Sequence, residues 1–153
     1  MKAYTSTLEM IGVRLGEKKT RYRVKRASSG TASGPLIELG ERTVPFTSIE
    51  ALSQRIRIDA TGLLAVIGMP ERTAARRREQ GYLKPDEADR LLRVARVVAE
   101  ATRVFGSEDK AARWLKTAHP VLDEATPFSL LDSDAGVKAV TDELTRIDYG
   151  DFA

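Results

Sequence analysis

The residues with the most pointed chemistry in this sequence are Arg72, Thr73, Arg76, Arg77, Arg78 and Lys84. An arginine fork can pair with the O6 and N7 of guanine, a threonine can touch a thymine methyl or a phosphate, and cations can replace phosphate counterions. With the arginines and Thr73 on one helix and Lys84 just beyond it, that set points to DNA, with an ordinary charged surface helix as the plainer alternative. Catalytic chemistry is poorly supplied. His119 is the sole histidine and stands beside Pro120, which suits a helix end better than a general base or a ligand. The sequence holds no cysteine, which excludes thiol nucleophiles, disulfides and thiolate metal sites together. Asp123, Glu124, Asp132 and Asp134 lack the spacing of a calcium loop and are better used as caps and loop residues. Gly30, Gly34 and Gly40 follow no strand and match no phosphate loop. We therefore expect no enzyme, no metal and no cofactor.

The elements that must position the arginines can be read from local chemistry. Thr47-Ser48-Ile49-Glu50 has the form of a capping box, with Thr47 as N-cap and Glu50 reaching back. Ile49, Leu52 and Ile56 follow at helical spacing, so ordered chain is expected from about Phe46, with a first helix ending near Arg57. Asp59 or Thr61 can cap a second helix carrying Leu63, Leu64, Val66 and Ile67. Gly68 stops it, and Pro70 suits the first position of a third helix that ends at Gly81. Two short helices across a glycine turn form a helix-turn-helix. In the second of them, Ala74 and Ala75 are small enough for close packing, and the arginines lie around the other side.

The rear of the chain is a series of capped amphipathic pieces. Pro85 or Asp86 opens a longer helix with Leu91, Ala95, Val98, Thr102 and Phe105 as its stripe, widened by Val94 and Val97 and ended by Gly106. Ser107 caps the next, whose buried side is Ala111, Trp114, Leu115 and Ala118. Trp114 is the sole tryptophan; if it is buried, truncation to alanine should cost about 3–5 kcal/mol. His119-Pro120 closes that helix. Thr126-Pro127 opens a short turn with Phe128, Leu130 and Leu131, and Asp132-Ser133-Asp134 offers caps for a last helix carrying Val137, Val140, Leu144 and Ile147 up to Gly150. Trp114, Leu115, Phe128, Leu131, Val140 and Leu144 form the expected rear core.

Charge divides the sequence. Residues 1–84 hold 16 Lys+Arg against 8 Asp+Glu, a net of +8, and residues 85–153 hold 9 against 14, a net of −5. A front half that meets a polyanion and a rear half that does not would give this imbalance. Lys18 to Arg26 is a basic run and Ala27 to Pro35 a small-residue linker, so residues 1–45 read as a basic arm, flexible in composition. No apolar run reaches the ~18 residues a membrane span needs, and no apolar segment of the secretory kind follows Lys2. A protein without cysteine fits a cytoplasmic location.

From about Gly62 to Tyr149 the sequence resembles the Xre/MbcA/ParS antitoxins, partners of RES-domain toxins. The likeness rests on the order of several modest motifs: Met69-Pro70-Glu71-Arg72-Thr73 with Arg76-Arg77-Arg78, Ala88-Asp89-Arg90-Leu91 with Ala95-Arg96-Val97, and Val104-Phe105-Gly106. Ala111 to Leu115, Thr126-Pro127-Phe128 to Leu131, Ala135-Gly136 and Leu144 to Gly150 complete it. Asp123-Glu124-Ala125 departs from it, lacking the glycine or asparagine expected before the Thr-Pro pair, and Asp134 is more acidic than expected. The resemblance implies an all-α protein: an Xre/Cro-like helix-turn-helix domain, here 46–95, followed by a small helical toxin-binding domain, 96–153. It implies a cognate RES toxin, a class associated with NAD breakdown, whose active site the antitoxin's C-terminal region blocks. On this chain that region is Arg146, Ile147, Asp148, Tyr149, Asp151 and Phe152. It further implies repression of its own operon at operator DNA, with a homodimer and a hetero-oligomer with toxin as the expected assemblies. The alternative is a stand-alone helix-turn-helix regulator without a toxin partner.

Overall fold

The structure is a computed structural model that describes residues 44–150. The basic arm, apart from its last two residues, lies outside that range, as do Asp151 and Phe152. Among the described residues there are six α-helices and two 3-10 helices. They are α1 (Thr47–Ile56), α2 (Ala60–Val66), α3 (Glu71–Gln80), α4 (Pro85–Phe105), α5 (Glu108–Lys116), the 3-10 helices Pro120–Leu122 and Pro127–Asp132, and α6 (Asp134–Asp148). Only isolated bridges pair extended backbone there, Pro45 with Tyr82 and His119 with Ala125.

Most helix ends follow the local chemistry. The Asp59 side chain accepts from the Gly62 N–H, Ser107 from Lys110, Thr126 from Ser129 and Ser133 from Gly136, each a side-chain oxygen satisfying an amide with no helical partner. Gly68 takes a φ of +63°, the left-handed conformation that lets the chain turn between α2 and α3. Pro70, expected at the first helical position, is instead the N-cap of α3, and Glu71 takes the first position. The capping box expected at Thr47 does not form. Phe46 is buried and helical in its own backbone (φ −59°, ψ −33°), no side chain caps it, and the Ser48 and Ile49 amides donate to the Pro45 and Phe46 carbonyls. The reason lies upstream: the Phe46 N–H donates to Gly81 O at 3.0 Å and the Leu83 N–H to Val44 O at 2.9 Å, which draws the entering chain into helical geometry before Thr47.

α4 is the axis of the molecule. Leu91, Val94, Ala95, Val98 and Ala101 are buried along it, and α1, α5 and α6 all pack against it. α6 runs in the same direction as α4: Arg93 meets Asp134 at 2.5 Å near the start of α6, and Arg103 meets Asp148 at 2.7 Å at its end. The front and rear helices interlock. α1 packs on α5, and α2 packs on the 3-10 helix 127–132. Arg55–Glu108 (2.7 Å) and Arg57–Asp109 (2.6 Å) cross the same seam, and Lys116 Nζ donates to the Arg57 carbonyl at 3.2 Å. Exposed pairs of this kind add at most about 1 kcal/mol each, so the apolar contact holds the seam. One contiguous apolar core runs from Val44 to Leu144, and α4 is unbroken through residues 95 and 96.

At Gly136 a side chain is excluded by close approach: a Cβ there would lie 1.8 Å from the Leu130 carbonyl oxygen. This lets α6 start directly against the 3-10 helix 127–132. The loop that departs from the family pattern takes the left-handed backbone at two non-glycine residues, Asp123 (φ 54°) and Glu124 (φ 60°). The turn is thus made without glycine, at a steric cost that Asp, unlike Glu, commonly bears. Asp134, the other departure, occupies the first turn of α6, where it favours the helix dipole and meets Arg93.

Candidate nucleic-acid and partner-binding surfaces

α3 presents a polar flank. Arg72, Arg76 and Arg78 are exposed, and Thr73 is half-buried. Arg72 and Arg76 have no side-chain partner among the described residues, and their four-residue spacing places them on one side of the helix. Arg78 lies over the ring of Phe46, its guanidinium 5.1 Å from the centroid, a cation–π contact that leaves its donors available. Lys84 is exposed at the N-cap of α4. Ala75, expected to pack inward, is exposed.

Arg77 corrects the expectation for the arginine run. It is 3% exposed, on the inward side of α3 with Ala74. Its Nε donates to both carboxylate oxygens of Glu87 (2.7 and 3.0 Å), and its Nη1 donates to Gln80 Oε1 at 2.7 Å. A guanidinium committed in this way has no fork to offer a guanine. Glu87, only 6% exposed, also accepts the Lys84 backbone N–H at 2.8 Å. Burial pushes the Glu87 carboxyl up, but the Arg77 and Lys84 hydrogen bonds together outweigh it and hold the group below its ordinary value. The hydrogen bond that Arg77 donates to Glu87 chiefly raises the Arg77 guanidinium, against its own burial. Glu87 was missed in the sequence; Ala74 and Arg77, three apart on one helix face, were the available signal that one of the arginines turns inward.

The rear surface has a different character. Leu115, Phe128, Leu131, Val140 and Leu144 are buried as expected. Trp114 is only partly buried, stacked at a tilt between Phe105 (5.5 Å) and His119 (5.2 Å) at the margin of the core, and Ala118 is exposed. His119 Nε2 lies 3.0 Å from the Trp114 carbonyl oxygen, so the imidazole serves the end of α5. Of the residues expected to meet a partner, Arg146 is half-buried and donates to Glu143, itself buried (2.7 and 2.8 Å). Ile147 is half-buried, Asp148 is tied to Arg103, and Tyr149 is 82% exposed, the most open large apolar side chain among the described residues. Among the described residues no group of three or more His, Asp or Glu side chains could hold a metal ion, and no helix is long and apolar enough to cross a membrane.

A helix-turn-helix with an outward arginine flank, fused to a helical unit that ends on an exposed tyrosine, defines an all-α protein with two separate surfaces. Residues 35–96 match the family described as the antitoxin Xre-like helix-turn-helix domain, and residues 100–150 match the antitoxin Xre/MbcA/ParS C-terminal toxin-binding domain. A Yersinia enterocolitica protein named Antitoxin Xre is 32% identical over 129 residues, spanning 83% of this chain and 85% of that protein. Proteins of the same name from Photorhabdus laumondii (31% identical; 78% of this chain, 83% of that protein) and Pseudomonas putida (34% identical; 82% and 70%) are similar. The chain belongs to the Xre antitoxin family.

Proposed function

We propose that this chain is the antitoxin of a type II toxin–antitoxin pair, which binds a RES-domain, NAD-degrading toxin and blocks its active site. The observation that carries this reading is the toxin-binding match over residues 100–150, which ends where Tyr149 stands exposed beyond the last helix. The blocking segment comprises Arg146, Ile147, Asp148, Tyr149, Asp151 and Phe152. Arg103 and Glu143 hold Asp148 and Arg146, so the end of α6 is a firm base from which the aromatic projects. An aromatic anchor of this kind gives a large contact area at small cost in side-chain entropy.

The same chain represses its own operon. Arg72, Thr73, Arg76 and Arg78 contact the major groove, and Lys84 a flanking phosphate. Two copies bind together, because paired half-sites need paired helices, and toxin joins the complex as a hetero-oligomer in the cytoplasm. The domain of 46–95 supplies DNA contact and that of 96–153 toxin contact, acting by binding and not by catalysis. The test is co-expression with the product of the neighbouring gene. The expected result is growth protection and co-purification of the two proteins. Repression of the promoter with neither protection nor co-purification would leave a stand-alone regulator instead.

A further inference from the structure

α3 turns only two residues inward, Ala74 and Arg77. A methyl group fixes little about a helix's rotation, because apolar contact is non-directional. The directional contacts on that side come from Arg77, and they converge on Glu87 in the first turn of α4. Glu87 also accepts the Lys84 amide from the turn that joins the two helices. One carboxylate thereby fixes the middle of α3, the connecting turn and the start of α4. The charged or titratable groups around the pair are Lys84, Asp86 and Tyr82. A buried ion pair is seldom more stabilising than apolar residues of the same volume, whereas the charge-assisted bonds from a planar guanidinium, here Nε to Glu87 and Nη1 to Gln80, are directional. Arg76 is next to Arg77 in the sequence and Arg72 lies one turn earlier, so any roll of α3 about its axis moves both.

We propose that Glu87 and Arg77 are positioning residues for DNA recognition: their ion pair sets the rotation of α3, so that Arg72 and Arg76 meet the same base edges each time. This rests on the DNA-binding reading above. Charge alone predicts the opposite sign for one substitution. Glu87→Gln removes a negative charge beside the cationic flank, which by electrostatics should raise affinity for any duplex.

The experiment uses the full chain and two duplexes of equal length, the segment upstream of its own reading frame and a shuffled version, titrated at several salt concentrations. In Glu87→Gln the preference for the upstream duplex should fall by about tenfold, the scale of one lost base contact. Affinity for the shuffled duplex should hold or rise, and the salt slope should stay that of the natural chain because no phosphate contact is lost. Arg77→Lys keeps the charge and loses the fork, so it should show the same loss of preference; it provides the measurement if Glu87→Gln does not fold. An Arg72→Ala/Arg76→Ala variant should lose the preference and bind both duplexes more weakly, whereas Lys84→Ala should lower the salt slope with the preference kept, which separates contact from positioning. An unchanged preference in the folded variants overturns the positioning role alone. If the natural chain shows no preference for the upstream duplex, the DNA reading falls and the positioning role falls with it.

Discussion

The flank of α3 and the end of α6 sit on one core but handle charge in opposite ways. On α3, Arg72 and Arg76 are exposed with no side-chain partner among the described residues, and the arginine between them and Arg78 is withdrawn into an ion pair. At the end of α6 the charges are neutralised in place, Arg103 with Asp148 and Arg146 with Glu143, and an aromatic side chain is left open. Unpaired cations attract at long range and yield to salt. A bare aromatic beside satisfied charges attracts only at contact, through desolvation and shape. The two ends of this protein therefore suit partners of different kinds: a polyanion that is found at a distance and a cleft that is filled at close quarters.

That contrast can be broken in several ways. The largest effect should come from stopping the chain after Asp148, which keeps the Arg103 contact and removes the aromatic tail. Toxin neutralisation should be abolished in a growth assay while promoter binding is unchanged; full protection by the shortened chain would take the active surface away from this end. Next, Leu144→Ala should cost about 2–5 kcal/mol, the range for a large apolar side chain lost from a packed core. Because the apolar cluster is continuous, thermal unfolding followed at α3 and at Trp114 should shift together. Two separate transitions would mean that front and rear melt as independent units. Replacing Arg72 or Arg76 by alanine should weaken promoter binding by about 1–3 kcal/mol each, with toxin capture untouched. The contrast is sharpened by salt, to which the DNA interaction should be far more sensitive than the toxin interaction.

The smallest effect should be seen with acid. The Glu87 carboxyl is held below its ordinary value in the folded chain. It therefore contributes stability at pH values above the ordinary carboxylate range, and that contribution disappears as the pH falls through its lowered value. Glu87→Gln should be less stable than the natural chain at neutral pH, and the gap should close on acidification. A gap that stays constant with pH would show that the pair does not carry it.

Much of the fold was legible because it is written in local backbone chemistry. Asp59, Ser107, Thr126 and Ser133 cap where their side chains can reach an amide a few residues on, and such contacts need no knowledge of the tertiary fold. Two of the failures were decided by residues farther along the chain. Thr47 loses its cap because Phe46 is drawn to Gly81, far along the chain. Trp114 stands at the margin of the core, with Phe105 and His119 on either side of it. The arginine run shows the limit most clearly: Arg76, Arg77 and Arg78 are identical as residues, and while the phase set by Ala74 singles out Arg77, its partner Glu87 lies on the next helix. The interlock between α1 and α5 could not be anticipated, since nothing in either helix names the other.

The unbroken course of α4 also bears on how such proteins can be inherited. Its front packs against α1 and its rear against α5 and α6, while α1 and α2 rest on rear elements. A recombination breakpoint near residue 96 would join surfaces that had never been fitted to each other. Exchanging one specificity for another should succeed only when the seam travels with it, so the operator and the toxin that this lineage recognises are expected to change together or through point substitutions.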